Sequence, residues 1–256
     1  MSSTQVISKV YRPSMNVGQL YARPYGSVAA PMPVGNVLEL SLDTTEDVET
    51  QPNMTVLGGG VYAEVRRVKD VKIKIKLADL SVINLARSTL GTVAGVEAGV
   101  VADEPRTATL GGLIRLTHLA PTGLTLKKGA TLAGATPVAA AGNFEVRPEG
   151  IYVLPNAVDL TGSDLLWASY SYGDYAVVEA LTTKATELEL TFGGLNEADG
   201  GNAVLVEIWR ASQGITKSLA LLASKGLGSL DVEGTVQMDP TKTGVGISKY
   251  YRTSMV

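Results

Sequence analysis

Apolar and polar positions alternate most regularly in two parts of this chain. In the first, Val71, Ile73, Ile75 and Leu77 take every second position while Lys72, Lys74 and Lys76 take the others. In the second, Leu188, Leu190 and Phe192 alternate with Glu187, Glu189 and Thr191. A period of two places successive side chains on opposite faces of a strand, so each run predicts a strand with one buried and one wet face. Leu38, Leu40 and Leu42 against Glu39, Ser41 and Asp43 predict another, followed by the acidic run Glu46, Asp47, Glu49. Between Thr186 and Pro240 the run continues as three or four strands cut by polar, glycine-rich turns: ELELTFGGLNEADGGNAVLVEIWRAS, SLALLAS and SLDVEGTVQMDP.

Taken unbroken, Val61 to Leu77 would span roughly 50 Å at about 3.3 Å per residue, two to three times a usual strand. It either bends near Lys69 and Asp70 or belongs to a hairpin whose tip, about residues 50–60, stands off the domain; projection is the reading favoured here. DLSVINLARSTLG carries the one helix signal. Ser81 or Asp79 can cap it, Val82, Leu85, Ala86 and Leu90 form a short apolar stripe, and Gly91 can end it in left-handed geometry. Shorter strands are expected at 113–119, 124–127, 143–147, 150–154 and across LLWASYSYGDYAVVEAL, with Pro148-Glu149 as a hairpin turn. Residues 92–112 read as a connection or a weak strand. The stretch of about 95–160 can form an inserted subdomain. Residues 1–36, with Pro13, Pro24, Pro31 and Pro33, read as an extended N-terminal arm, leaving 37–256 as a β domain. The fold class is all-β, a sandwich or barrel with one short flanking helix.

Composition removes function classes. The 256 residues can bury the core of one large β domain or two smaller ones. Lys and Arg total 22 against 25 Asp and Glu, a net charge of −3, so no overall field draws the chain to nucleic acid or to an anionic membrane. With no cysteine, disulfides and thiolate metal sites are excluded. The N-terminus has no apolar segment of signal-peptide length and no window nears eighteen apolar residues, so a soluble protein of the cytosol, without membrane insertion, is expected.

Candidate chemistry is sparse. His118, the single histidine, lies in LIRLTHLAP and reads as structural. The glycine clusters 58–60, 193–194 and 200–201 lack the Lys-Ser or Lys-Thr of a phosphate loop and read as turns. The lysine row 72, 74, 76 reads as a solvated face or as partners for carboxylates such as Glu39 and Asp43 on the adjacent strand. Asn53-Met54-Thr55 has no meaning as a glycosylation site without a secretory route. No catalytic, cofactor or metal site is assigned, and a non-enzyme is expected.

FGGLNEADGGNAVLVEIWR, the Leu-Ala-Leu-Leu segment, Gly228–Val236 and Asp239-Pro240-Thr241-Lys242, in that order, resemble the C-terminal part of the major tail tube proteins of siphovirus-type, long-tailed bacteriophages. LELSLDTTEDVET and LSVINLARSTLG fit the same family in order and type. The resemblance implies a virion protein, made in the bacterial host cytoplasm. It would self-assemble into hexameric rings that stack as the phage tail tube, its strands joining one ring-wide inner β-barrel. Implied partners are further copies of itself, a tape measure protein, and tail terminator or distal tail proteins, with double-stranded DNA passing through without specific binding. In that frame Glu39, Asp43, Glu46, Asp47 and Glu49 are lumen candidates, with Glu187 and Glu189 behind them. Val10, Tyr11, Tyr21, Pro52, Asn53, Met54 and Gly59 are candidates for ring-to-ring contact. The competing readings are a distal tail or adhesin-like host-binding β-sandwich and a head-associated virion protein.

Overall fold

The computed structural model describes residues 13–216, 219 and 228–256. It is an all-β structure with one α-helix among those residues. The strands are β1 (Asn16–Pro24), β2 (Met32–Gly35), β3 (Val37–Pro52), β4 (Val61–Leu77), β5 (Thr92–Val96), β6 (Gly99–Thr107), β7 (Leu113–Arg115), β8 (Thr122–Lys128), β9 (Thr136–Val138), β10 (Phe144–Arg147), β11 (Gly150–Val153), β12 (Leu165–Tyr172), β13 (Tyr175–Glu179), β14 (Glu187–Asn196), β15 (Asn202–Gln213), β16 (Leu230–Val236) and β17 (Tyr251–Met255), with α1 (Val82–Thr89) between β4 and β5. The chain divides into two compact units, residues 1–93 with 178–256, and residues 94–177.

The first unit is built on an antiparallel sheet in the order β2-β1-β14-β15-β16-β4-β3, with β17 pairing the first half of β15. Register explains why its pattern is so clean. Leu20 faces Phe192, Ala22 faces Leu190, Leu190 faces Ile208, Ala211 faces Val236 and Val232 faces Ile75. One face is therefore continuously apolar, and Leu20, Ala22, Ile73, Leu188, Leu190 and Ile208 are buried on it. Each fully buried side chain of this size contributes about 1.5–3 kcal/mol of transfer free energy. Trp209 and the ion pairs described below occupy or border the opposite, polar side.

The second unit has its own core. Ile114, Leu126, Ile151, Val153 and Leu166 are buried together between the sheet β6-β12-β8-β9 and the sheet β10-β11-β7. Gly150 pairs with Arg147 across the two-residue Pro148-Glu149 turn and takes φ 147°, with Ile114 O only 2.2 Å from where a Cβ would lie. Only glycine fits there. Residues 92–112, read as a connection or a weak strand, hold β5 and β6. Their Gly, Ala and Val residues hid the pattern because β6 is interrupted by Pro105 and by Asp103 at φ 52°.

Several expectations are corrected. The N-terminal arm does not extend through residue 36: β1 lies inside the sheet against β14, and Met15 N donates to Asn196 Oδ1 at 2.9 Å. Prolines did not prevent this because Pro24 ends β1 and β2 is an edge strand, the two places where a strand tolerates proline. Gly193 and Gly194 are not turn residues but sit within β14 opposite Gln19 and Gly18. A Cβ on Gly18 would lie 2.3 Å from Gly193 O, so the pair permits close approach of two backbones. Leu38 falls in a bulge between Val37 and Glu39 and is 59% exposed, out of line with Leu40 and Leu42.

Helix α1 is capped by Ser81, whose hydroxyl accepts from Asn84 N at 3.2 Å, while Asp79 instead accepts from Asn36 N. Its end is a Schellman turn in which Leu90, not Gly91, takes the left-handed position at φ 50° and Gly91 N donates to Ala86 O. The face it buries is Asn84, Ala86 and Ser88 rather than a leucine stripe, with Val82 and Ile83 exposed. Asn84 Nδ2 donates to Val34 O at 2.7 Å, which fastens the helix to β2. The proposed SLALLAS strand lies mostly outside the described residues.

Candidate assembly surface

Strands β3 and β4 form a hairpin much longer than the sheet that carries it. β16 pairs with β4 only from Lys72 to Leu77, so among the described residues Val61–Val71 have β3 as their one strand neighbour. At the inner end Leu40, Leu42, Val71 and Ile73 join the core. Residues 61–69 and 43–52 are all exposed. Nine residue steps at 3.3–3.4 Å give a projection of roughly 30 Å before the turn. A bulge at Lys69, where Thr45 pairs with Asp70 and Glu46 with Val68, twists the ribbon at the point where it leaves the sheet. Bend and projection, posed as alternatives from sequence, occur together.

The hairpin carries five acidic residues on β3, and two acidic with six basic residues on β4, a net charge of −1. Lys74 Nζ lies 2.6 Å from Asp43 Oδ2, and this hydrogen bond holds the lysine pKa above its ordinary value. Glu39 faces Lys76 in register and Asp47 faces Arg67. Arg66 pairs with Glu64 and, at 3.2 Å, with Glu46. Alternation divides the five lumen candidates: Glu39, Asp43, Asp47 and Glu49 share the polar face of the sheet, whereas Glu46 points the other way with Val48 and Val68. Glu187 and Glu189 lie on the polar face but are engaged. Arg210 binds Glu187 through two bonds of 2.7 and 2.8 Å, which lowers that carboxyl's pKa, and Arg23 binds Glu189. Arg252 pairs with Glu207 on the same face. The polar face thus mixes ion pairs with unpaired charges such as Glu49 rather than presenting a uniformly acidic surface.

The turn collects four of the contact candidates. Asn53 N donates to Gly60 O at 2.7 Å, and Asn53 Oδ1 accepts from Thr55 N and Oγ1 at 2.9 and 2.6 Å, which sets the shape of the tip. Gly58, Gly59 and Gly60 all have positive φ. Pro52 closes β3, and Met54 is 87% exposed. Tyr21 is not near them: it lies in β1 opposite Thr191, its hydroxyl donating to Gln19. Val10 and Tyr11 lie outside the described residues. Sequence reasoning passed over Val56, Leu57, Val61, Tyr62 and Val65, which are exposed on the same hairpin. The available signal was apolar residues on both sides of a triple-glycine turn, where a solvated loop would be polar.

The single histidine stands in the second unit. Its ring stacks on Tyr172 with centroids 3.7 Å apart, and Nδ1 lies 3.0 Å from the Tyr175 hydroxyl. Beside it a polar network went unforeseen. Tyr170 donates to Glu104 Oε2 at 2.7 Å, Thr117 donates to Oε1 from both N and Oγ1, and Arg106 pairs with the same oxygen. Burial alone would raise the Glu104 carboxyl, but the bonds from Tyr170 and Thr117 with the Arg106 charge outweigh it and the pKa lies below the ordinary value. Burial and the bond to Glu104 push Tyr170 up to about 12. These residues brace the second unit from the inside.

Among the described residues no group of three or more His, Asp or Glu side chains is arranged to hold a metal ion, and no helix is long and apolar enough to cross a membrane. No curated protein matches the sequence. The model of the family described as "Protein of unknown function UCP028589" matches residues 13–254, and the chain belongs to that family.

Proposed function

We propose that this chain is a structural subunit that self-associates into stacked hexameric rings forming a phage tail tube, the conduit for DNA. The observation that carries the reading is the β3–β4 hairpin, which reaches roughly 30 Å beyond its sheet and ends in exposed Met54, Val56 and Leu57. A two-stranded ribbon is marginal in water by itself. A free apolar end is a liability unless another surface covers it. A second copy is the partner that a repeating tube requires, and the resemblance noted above supplies the expectation of rings.

Two further features support the reading. β3 is an edge strand along all sixteen residues and the outer part of β4 has a second open edge. Pairing between subunits would remove both, closing sheets around a ring as a barrel does within one chain. The polar face suits a wall along which DNA slides. Lys74, Arg210, Arg23 and Arg252 are matched by Asp43, Glu187, Glu189 and Glu207, which limits the free positive charge presented to the phosphates. In a virion such a subunit would meet a tape measure protein inside the tube and terminator or distal tail proteins at its ends.

Negative-stain microscopy and sedimentation of the purified protein test this. Hollow tubes or rings of uniform bore are expected. Monomers or trimers alone at high concentration would refute it.

A further inference from the structure

α1 packs over the core face of the sheet and leaves a groove of about 280 Å³ beside it. Apolar Pro24, Ile83, Leu90, Val93 and Leu188 form much of its wall, and Arg87 of α1 and Lys184 are the cations among them. The Arg87 guanidinium is half-buried and meets no carboxylate or carbonyl among the described residues; desolvation alone acts on it, lowering its pKa. An arginine held in apolar surroundings without an acceptor is costly, and it signals an anionic group that this chain alone does not provide.

The projecting hairpin carries the complementary surface. Its polar-face side bears Glu49 opposite Val65, followed by Gln51 opposite Ala63. Val65 is about half exposed and Ala63 is exposed, and Glu49 makes no ion pair among the described residues. On the other side of the ribbon the carboxylates of Glu46 and Glu64 are already bound to Arg66. Glu49 is therefore the free carboxylate nearest the tip, with Val65 and Ala63 beside it.

We infer that the α1 groove receives the Glu49–Val65–Ala63 stripe of a second copy, with the Glu49 carboxylate on the Arg87 guanidinium and Val65 and Ala63 against Ile83, Leu90 and Leu188. This rests on the self-assembly reading above and names the receptor it leaves open. Donor stripe and acceptor groove are different patches of one unit, so the contact is heterologous and repeats from copy to copy rather than closing at a dimer. Arg and carboxylate form two parallel hydrogen bonds in such a pair, which fixes register as well as adding affinity.

Charge reversal tests the inference. Arg87→Glu and Glu49→Arg should each raise the concentration needed for half-assembly by about tenfold or more, since each puts like charges together in a desolvated site. The double variant R87E/E49R, carrying the swapped pair, should recover most of the loss. Sedimentation velocity reads assembly, and circular dichroism verifies the fold of each variant. If either single reversal unfolds, Arg87→Gln and Glu49→Gln replace them, and a double-mutant cycle should give losses that are not additive. Wild type that assembles while both single variants assemble equally well overturns the inference and leaves the assembly reading intact. So does a failure of the swap, or additive losses in the cycle. Wild type that stays monomeric overturns the assembly reading itself.

Discussion

Replacing residues 47–67 by an Asn-Gly turn that joins Glu46 to Val68 separates the two roles of the β3–β4 hairpin. Glu46 and Val68 already face each other in register, and Asn-Gly suits a two-residue turn whose twist matches the strands. Of the removed residues all are exposed except Asn53, which is half-buried, and none belongs to a core cluster. The ion pairs lost are solvent-screened and weigh little. The expected change in stability is therefore within about 1 kcal/mol. As the contrast, Ile208→Ala removes a side chain that is 1% exposed in the centre of β15, at a cost of about 2–5 kcal/mol. Urea unfolding can report the first unit alone, because Trp209 and Trp167 are the two tryptophans and lie in different units. In a Trp167→Phe background the fluorescence of Trp209 should give nearly the parental midpoint for the shortened hairpin and a clearly lower one for Ile208→Ala. Sedimentation of the shortened protein should show that higher assembly is lost. A stability loss of about 3 kcal/mol or more, or assembly that proceeds unchanged, would refute the argument that the hairpin is built for contact rather than for folding.

Three other outcomes follow from the geometry. The depressed Glu104 carboxyl stabilises the second unit above its unfolded-state pKa, and that contribution is lost as pH falls through the folded value; Trp167 fluorescence should show acid sensitivity that Glu104→Gln abolishes. Tyr170, raised from 10 to about 12, acts in the opposite direction. Its contribution is present below pH 10 and disappears as pH rises from 10 through about 12, so Tyr170→Phe should flatten the alkaline limb of the same titration. Gly18→Ala forces β1 away from β14, because its Cβ would stand 2.3 Å from Gly193 O and 2.5 Å from Gly194 Cα; a loss of about 1–3 kcal/mol is expected by urea unfolding, and a neutral result would mean that the two strands are not held this closely.

The strands that were legible in sequence are those with one wet face. Val71 to Leu77 and Leu188 to Phe192 alternate because the sheet's second face stays in solvent and must be polar. β1 was not legible: its Gly18 is required by Gly193, 175 residues away in sequence, and its prolines are harmless only because of where β1 ends and β2 lies. The helix was legible through Ser81, but its buried face was not, since Asn84 and Ser88 are buried for hydrogen bonds to Val34 and to the helix itself and carry no apolar signal. The acidic run at 39–49 suggested a repulsive surface because a sequence shows each strand's charge alone. Register then set Lys76, Lys74 and Arg67 opposite it and removed most of the net charge. Burial of Glu104 depends on Tyr170 and Thr117, which are 66 and 13 residues distant, and no spacing rule would connect them.

The charge arrangement on the hairpin also bears on how an assembly could tell its own copies from other proteins. Surface ion pairs within one chain contribute little to its stability, yet seven of the thirteen charged residues of the β3–β4 ribbon are engaged in them. Balancing those charges leaves the ribbon as a whole at a net charge of −1, which lets its apolar tip and Val65 approach another copy with little net repulsion to overcome. It also leaves Glu49 as an unmatched carboxylate close to the end, and Arg87 as an unmatched guanidinium in the groove. A contact made of many neutral elements and one unsatisfied charge on each side gains modest affinity from the apolar area and discrimination from the single pair, because a wrong partner or register would leave both charges buried and unpaired.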